Sequence, residues 1–339
     1  MKKCIQTDKK IRRNTQLLKK DNPLISILLS VYKPNEKWLI EQLISLNEQS
    51  YDNLNLYIYD DCPDEPVDEK LFEKYITNFK YKIVRGHINK GSNKAFEELS
   101  KIADGDYFAY CDQDDIWESD KLSIMMEAFY DKDVTLVCCD LCIIDEDSKK
   151  THRSICDIRK RIVYKRGNNL AKGLLESNFV TGCAMLVKKE IALKAIPFEE
   201  KLIHDNWIAV IAALNGKIEF IDKRLVRYRQ HGFNQTGILK GVHDKKSYYD
   251  IRIIELLDRY NSLKRRLSYN DELLNYINYC IKSIEARKIY FLKPSIKELK
   301  IMIEYSNYYK RSIILEIFMP ILPSFIFKYI INITKKGIL

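Results

Sequence analysis

Residues 24–31, Leu-Ile-Ser-Ile-Leu-Leu-Ser-Val, form an apolar run closed by Asn22-Pro23 on one side and Lys33-Pro34 on the other. A run this short between two proline-bearing turns suits a buried strand better than a helix. Working outward, the pattern alternates. Asn35 stands where it can cap a helix over residues 36–49, in which Trp38, Leu39, Leu43 and Leu46 recur at helical spacing. Residues 54–59 give a second strand that runs into Asp60-Asp61. Residues 71–79 then read as helical, 81–85 as extended, 91–102 as helical and 107–111 as extended, the last ending in a cluster of carboxylates. Strands alternating with helices predict an α/β fold, a Rossmann-like and mostly parallel sheet with helices on both faces.

The composition agrees with a globular protein. Among 339 residues, 46% are hydrophobic and 31% charged, with only 11 Gly and 8 Pro, which excludes disordered, collagenous and disulfide-stapled classes. The net charge of +10 is unevenly spread: residues 1–20 carry +7, residues 241–339 carry +8, and residues 21–240 carry −5. An acidic middle argues against a groove that tracks a phosphate polymer, so no nucleic-acid partner is expected, and the basic ends fit an anionic lipid surface better.

Three segments follow: a basic leader at 1–20, a catalytic domain at 21–240 and a helical appendage at 241–339, in which residues 251–267, 273–289 and 296–305 look amphipathic. Residues 313–333 are strongly apolar, but Glu316 and Lys328 bracket a short uncharged stretch that contains Pro320 and Pro323. That is too short to cross a bilayer, so the expectation is an interfacial segment at 317–327, with packing against the appendage's own helices or a homodimer interface as alternatives. The 9 cysteines are scattered and residues 1–20 contain no apolar signal core, which implies a reduced, cytoplasmic setting. The one CxxC, Cys139 to Cys142, lies within the apolar run 134–144, where a structural reading outweighs a zinc site.

In open α/β sheets, function collects at the carboxyl ends of the strands. Those ends read Tyr32-Lys33, Asp60-Asp61, residues 87–91, and Asp112-Gln113-Asp114-Asp115. Neither GxGxxG nor GxxxxGK[ST] follows the first strand, so hydride transfer and P-loop chemistry are disfavoured. Three carboxylates within one short turn repel one another unless a cation or solvent compensates, and hard oxygen donors suit Mg²⁺ or Mn²⁺ bound together with substrate phosphates. The alternative is a solvated acidic turn ahead of a helix that begins near Ser119.

The acidic turn does not stand alone. Ser30-Val31-Tyr32, Asp60-Asp61, Asn89-Lys90-Gly91-Ser92-Asn93, Asp112-Gln113-Asp114-Asp115-Ile116-Trp117, residues 178–185 (NFVTGCAM), His204-Asp205-Asn206-Trp207 and Tyr228-Arg229-Gln230-His231-Gly232-Phe233-Asn234 follow in order. In that order and spacing the chain resembles the inverting family 2 glycosyltransferases of the GT-A nucleotide-diphospho-sugar transferase fold, particularly bacterial polysaccharide rhamnosyltransferases.

The resemblance implies a role for each matching position. Asp60 matches the carboxylate that contacts the donor nucleobase, with Tyr32, Asn89, Gly91, Asp112 and Gln113 also on the donor side. Asp112 and Asp114 match the DxD pair, Asp114 being the direct metal ligand, and His231 matches a position that reaches the metal or the diphosphate in several relatives. Asp205 matches the general base that deprotonates the acceptor hydroxyl during in-line attack. The implied partners are a nucleotide-sugar donor, dTDP-rhamnose or a UDP-sugar, and a glycan or lipid-linked saccharide acceptor, with Mn²⁺ or Mg²⁺ as cofactor. The implied location is cytoplasmic, peripheral on the inner face of the cell membrane.

Two departures stand out. The second-strand motif continues as Asp61-Cys62-Pro63 where relatives have Asp-Asp-Gly-Ser, and His204 precedes Asp205 where many relatives have Glu. Asn89 and Asn93 serve either as caps for the helix near Gly91 or as phosphate neighbours. Trp117 and Trp207 are open between sugar stacking and core packing. A nucleotidyltransferase and an inactive membrane-associated scaffold are the rival readings; the first lacks its Gly-rich loop after strand one, and the second conflicts with an intact acidic turn and Asp205.

Overall fold

The first strand of the sequence pattern lies inside the parallel half of the sheet. In the computed structural model β1 (Ile25–Val31) pairs in parallel with β2 (Leu54–Asp60) on one side and with β4 (Tyr107–Cys111) on the other, and β2 pairs in parallel with β3 (Lys80–Arg85). Strands flanked this way are covered on both faces, which is why β1 and β4 are near-continuous apolar runs, whereas β3, at the end of the order, exposes Lys80, Lys82 and Arg85. The structure describes residues 22–160, 162–232, 239, 241–305 and 316–335. The basic leader at 1–20, Phe233-Asn234 and residues 313–315 of the apolar C-terminal stretch lie outside them.

The full order is β3-β2-β1-β4-β8-β6-β9-β5, with β7 (Lys150–His152) beside β6. Here β8 is Met185–Lys188, β6 Val134–Ile144, β9 Lys217–Arg229 and β5 Ile116–Trp117. The parallel half extends to the β6/β9 pair, but β8 runs antiparallel to both β4 and β6, and β5 antiparallel to β9. Strand order reverses around β1, so the crevice between the ends of β1 and β4 is where such sheets bind ligands.

Helices α1 (Glu36–Asn47), α2 (Glu69–Tyr75), α3 (Ser92–Ile102), α4 (Lys121–Glu127), α5 (Ala171–Glu176), α6 (Lys189–Lys194) and α7 (His204–Asn215) complete the first unit. Asn35 caps α1 as expected, its side chain accepting from Trp38 N at 3.3 Å. The helix predicted over 71–79 instead spans Glu69–Tyr75. Asp68 caps its start, and past its end the N–H groups of Thr77 and Asn78 donate to Asn47 Oδ1 at 2.8 and 2.9 Å rather than continuing the helix. The CxxC lies within β6, which is buried throughout, and both thiols are free. Burial pushes Cys139 up to about 11, as expected of a thiol that packs as a small hydrophobe.

The chain divides into two compact units between His231 and Gly232; the sequence pattern places the change at 240. In the second unit the described elements are all helical: α8 (Lys245–Tyr249), a π-helical turn (Asp250–Ile254), α9 (Glu255–Arg266), α10 (Asp271–Leu292), α11 (Ile296–Glu304) and α12 (Ser324–Lys335). Among the described residues no helix is long and apolar enough to cross a membrane. The apolar stretch 317–327 is not a uniform patch. Ile317 packs on Ala286, Tyr290 and Met302, and Met319 and Phe327 are buried, while Phe318, Ile321 and Phe325 are exposed.

Candidate active site

The turn Asp112-Gln113-Asp114-Asp115 leaves the carboxyl end of β4 beside the end of β1. Gln113 fastens the two: its Nε2 donates to Tyr32 O at 3.1 Å, and its Oε1 accepts from Tyr32 N at 2.8 Å. This amide imitates a strand partner where the ladder has stopped, and Tyr32 is 45% exposed there. The chain then enters β5, whose Ile116 and Trp117 pair with Arg227 and Val226 near the end of β9. That pairing brings Arg229 and His231 onto the acidic turn.

Arg229 is wholly buried and spends its donors on this junction. Its backbone N–H donates to Asp115 Oδ1 at 2.9 Å and its Nε to Asp114 O at 2.8 Å. Nη1 donates to Asp145 O at 2.9 Å and to Ser148 Oγ at 3.0 Å, and Nη2 forms an ion pair with Glu41. The guanidinium lies 5.2 Å from the centre of the Trp38 ring, whose other neighbour is the His231 imidazole at 4.9 Å. His231 Nε2 in turn stands 2.7 Å from Asp114 Oδ2. The sequence motif included Arg229 but gave no sign of its role, because that role depends on the register of β9 against β5 and β6.

Charge crowding is visible in the carboxyls. Burial and the neighbouring Asp115, Asp114 and Asp205 hold Asp112 well above the usual carboxylate range. Burial, with Asp114 beside it, pushes Asp115 up to about 7. One cation already sits under the turn: Lys121 is fully buried, its Nζ donates to Cys183 O at 2.6 Å and lies 3.0 Å from the Trp117 ring centre, and burial lowers it to about 8. Asp112, Asp115 and the Cys183 thiol bring ligand atoms within 4.8 Å of one another. Cys183, which sequence reasoning did not single out, is buried with its thiol pushed up by burial and by Asp115 and Asp112, a poor setting for a thiolate ligand. Asp114 and His231 pair with each other, and with Asp112 they do not form a second such group of three among the described residues.

On the side of β2 the two carboxylates serve the backbone. Asp60 is buried and accepts from Cys62 N at 3.2 Å, Val67 N at 2.9 Å and Arg85 Nη1 at 2.9 Å, so the Cys62-Pro63 loop is wound around it. Asp61 accepts from Lys90 N at 2.8 Å and Gly91 N at 2.7 Å, pinning the loop that opens α3. Asn89 Oδ1 accepts from Gly91 N at 3.0 Å, and Gly91 has φ +78°, a left-handed conformation that favours glycine. Neither Asn caps α3. Asn93 reaches instead to the start of α7, accepting from His204 N at 2.8 Å and donating to Leu202 O at 2.6 Å.

Asp205 lies in the first turn of α7. Its Oδ1 accepts from Asn178 Nδ2 and its Oδ2 from Gly182 N, both at 3.1 Å. Burial pushes it up to about 6 against the pull of those hydrogen bonds and of the Arg159 charge, a value suited to a base near neutral pH. His204 packs on Phe96 at 4.3 Å and Tyr110 at 5.5 Å, and burial lowers it to about 3, so it is a neutral core side chain. A Cβ on Gly182 would come within 2.7 Å of His204 Nε2, so glycine is what lets residues 178–185 approach α7. Trp117 and Trp207 are 2% and 1% exposed, which assigns both to the core rather than to sugar stacking.

This crevice, with an acidic turn at the switch point and a separate carboxylate on a facing helix, defines the GT-A class of glycosyltransferase. Residues 26–192 match the family described as "Glycosyl transferase family 2", and the chain is a family 2 glycosyltransferase. It is 28% identical over 240 residues to an uncharacterized glycosyltransferase of Methanocaldococcus jannaschii, covering 68% of this chain and 79% of that one. It is 24% identical over 221 residues to the dTDP-rhamnosyl transferase RfbG of Shigella flexneri, covering 60% and 71%. Among solved structures, S. aureus TarS 1-349 in complex with UDP-GlcNAc shares the fold with a TM-score of 0.54 at 14% identity, covering 93% of this chain and 92% of that one.

Proposed function

We propose that the protein transfers a sugar from a nucleoside diphosphate donor, dTDP-rhamnose or a UDP-sugar, to a hydroxyl of a glycan or lipid-linked saccharide, inverting the anomeric carbon, during synthesis of a cell-surface polysaccharide. The observation that carries this reading is a division of labour between carboxylates. Asp114 stands 2.7 Å from His231 at the acidic turn, while Asp205 occupies a separate environment that raises it to about 6. Asp114 paired with an imidazole suits a cation site, and a carboxylate raised by burial suits a base.

The residues fit a hard divalent cation, Mn²⁺ or Mg²⁺. Burial, with like charges that a cation would relieve, raises Asp112 and Asp115, and Asp114 and His231, with Asp112, would hold the cation. When bound, such a cation neutralises the charge that develops on the departing diphosphate. Tyr32, Asp60, Asn89, Gly91 and Gln113 line or brace the donor side. Asp205, aimed by Asn178 and Gly182, takes the proton of the acceptor hydroxyl as its oxygen bonds to the anomeric carbon, and the bond to the diphosphate oxygen breaks with its electron pair leaving on the nucleotide. A single in-line displacement inverts the centre. The names of two similar proteins, a dTDP-rhamnosyl transferase and TarS with UDP-GlcNAc, support the two donor types. The same reading places the enzyme peripherally on the inner face of the cell membrane.

Incubation with a panel of nucleotide sugars and Mn²⁺ or Mg²⁺ tests it. Nucleoside diphosphate release is expected from a narrow subset, lost with EDTA, and transfer to a saccharide acceptor should give the inverted anomer by NMR. Turnover of nucleoside triphosphates only, or of nothing, would overturn the reading in favour of a nucleotidyltransferase or an inactive scaffold.

A further inference from the structure

Residues 316–335 sort their side chains into two sets. Inward, the buried Glu316 carboxylate pairs with Arg287 and accepts from Tyr248 Oη at 2.7 Å, Tyr290 Oη donates to Ile317 O at 3.2 Å, and Phe327 meets the Tyr248 ring edge-on at 5.7 Å. Lys245 Nζ donates to Pro320 O at 2.8 Å. The segment is thereby clamped at several points to its own unit. Outward, Phe318, Ile321, Phe325 and Tyr329 are 59%, 65%, 73% and 66% exposed. Phe325 and Tyr329 are one helical turn apart on α12 and share a face, with Lys328 exposed beside them.

We propose that Phe318, Ile321, Phe325 and Tyr329, with Lys328, form a lipid-facing surface that seats in the headgroup region of an anionic bilayer. This deepens the peripheral-membrane reading given above and rests on it. The charge pattern is the argument. The segment's single acid, Glu316, is buried and already paired, so its outward charges are positive, within a region, residues 241–339, of net charge +8. A second copy of the chain covering this face would bury Lys328 between two aromatic side chains with no carboxylate of the same segment to receive it, which is unfavourable. A headgroup layer accepts both at once, rings at the acyl boundary and ammonium among phosphates. With 12 residues α12 is roughly 18 Å long, short of the ~30 Å needed to cross, and suited to lying in the plane.

The test is flotation of the full-length protein with phosphatidylcholine–phosphatidylglycerol vesicles and with phosphatidylcholine alone. Wild type should float with the anionic vesicles and lose binding as salt is raised. The Phe325→Ser/Tyr329→Ser variant should partition at least about tenfold more weakly, and Lys328→Glu should weaken binding to anionic vesicles selectively. Leu193→Ser, which removes an exposed leucine from the first unit, should float like wild type; thermal melting checks that each variant is folded. Equal flotation of wild type and the double variant, or none by wild type, overturns the proposal. So does a dimer by light scattering that the double variant dissociates, since the face is then an interface between copies. Donor hydrolysis in vesicle-free solution is read separately, so failure of the transferase reading and failure of this surface are distinguishable.

Discussion

Gln113 and Tyr32 exchange two hydrogen bonds across the crevice, side-chain amide to backbone, so the acidic turn is registered on the end of the first strand. Only an amide supplies both a donor and an acceptor at this spacing. Gln113→Glu removes the donor and sets a carboxylate against Tyr32 O, and Gln113→Ala leaves both backbone groups open. Either change should raise the donor KM by roughly tenfold, the scale of one or two lost hydrogen bonds, with Glu the worse. Steady-state kinetics at saturating Mn²⁺ measures it, and an unchanged KM would remove the clamp from the donor site.

Asp114→Asn should abolish Mn²⁺-dependent donor binding while leaving the fold intact, because it conserves shape and deletes charge. His231→Ala should weaken Mn²⁺ by at least about tenfold, since losing a ligand costs no less than losing a group behind one. Calorimetric titration of Mn²⁺ in the presence of nucleoside diphosphate gives both values.

For Asp205, burial raises the carboxyl to about 6, so the basic form is lost as pH falls below that value. Accordingly kcat/KM should drop roughly tenfold per pH unit below about 6 and level off above it. Asp205→Asn should lower kcat by about 10² or more with little change in donor KM. A pH profile that keeps its acidic limb in the variant would assign that limb to another group.

Arg229→Met should unfold more easily, losing about 2–4 kcal/mol, because the carbonyls of Asp114 and Asp145 and the Glu41 carboxylate lose their shared partner. Denaturant titration measures the loss. Arg229→Lys should rescue only part of it, since a point ammonium cannot reach acceptors spread around a planar fork.

The parallel half of the sheet was legible because β1, β2 and β4 are buried on both faces and therefore appear in the chain as short apolar runs between turns. Asp112 and Asp114 were legible as a cluster of carboxylates at a strand end, Asp205 and His231 only through the family resemblance. What escaped depends on contacts distant in sequence. Lys121 looks like an ordinary helical lysine until β8's neighbour Cys183 offers it a carbonyl and Trp117 a ring. Asp60 and Asp61 are visible in the sequence as carboxylates at a strand end, but the loop N–H groups they accept from are brought to them only by the fold. Asn93 looks like a cap and is a bridge to α7.

The buried thiols also make the protein its own unfolding clock. Cys111, Cys138, Cys139 and Cys183 lie in the first unit, and Cys280 lies in the second, all within 1% of full burial. A thiol must become exposed and ionise before it reacts, so an alkylating reagent reaches each of them only when its surroundings open. Peptide mass spectrometry after timed labelling would therefore give separate opening rates for the catalytic unit and the helical one from a single sample, with no tag or engineered probe.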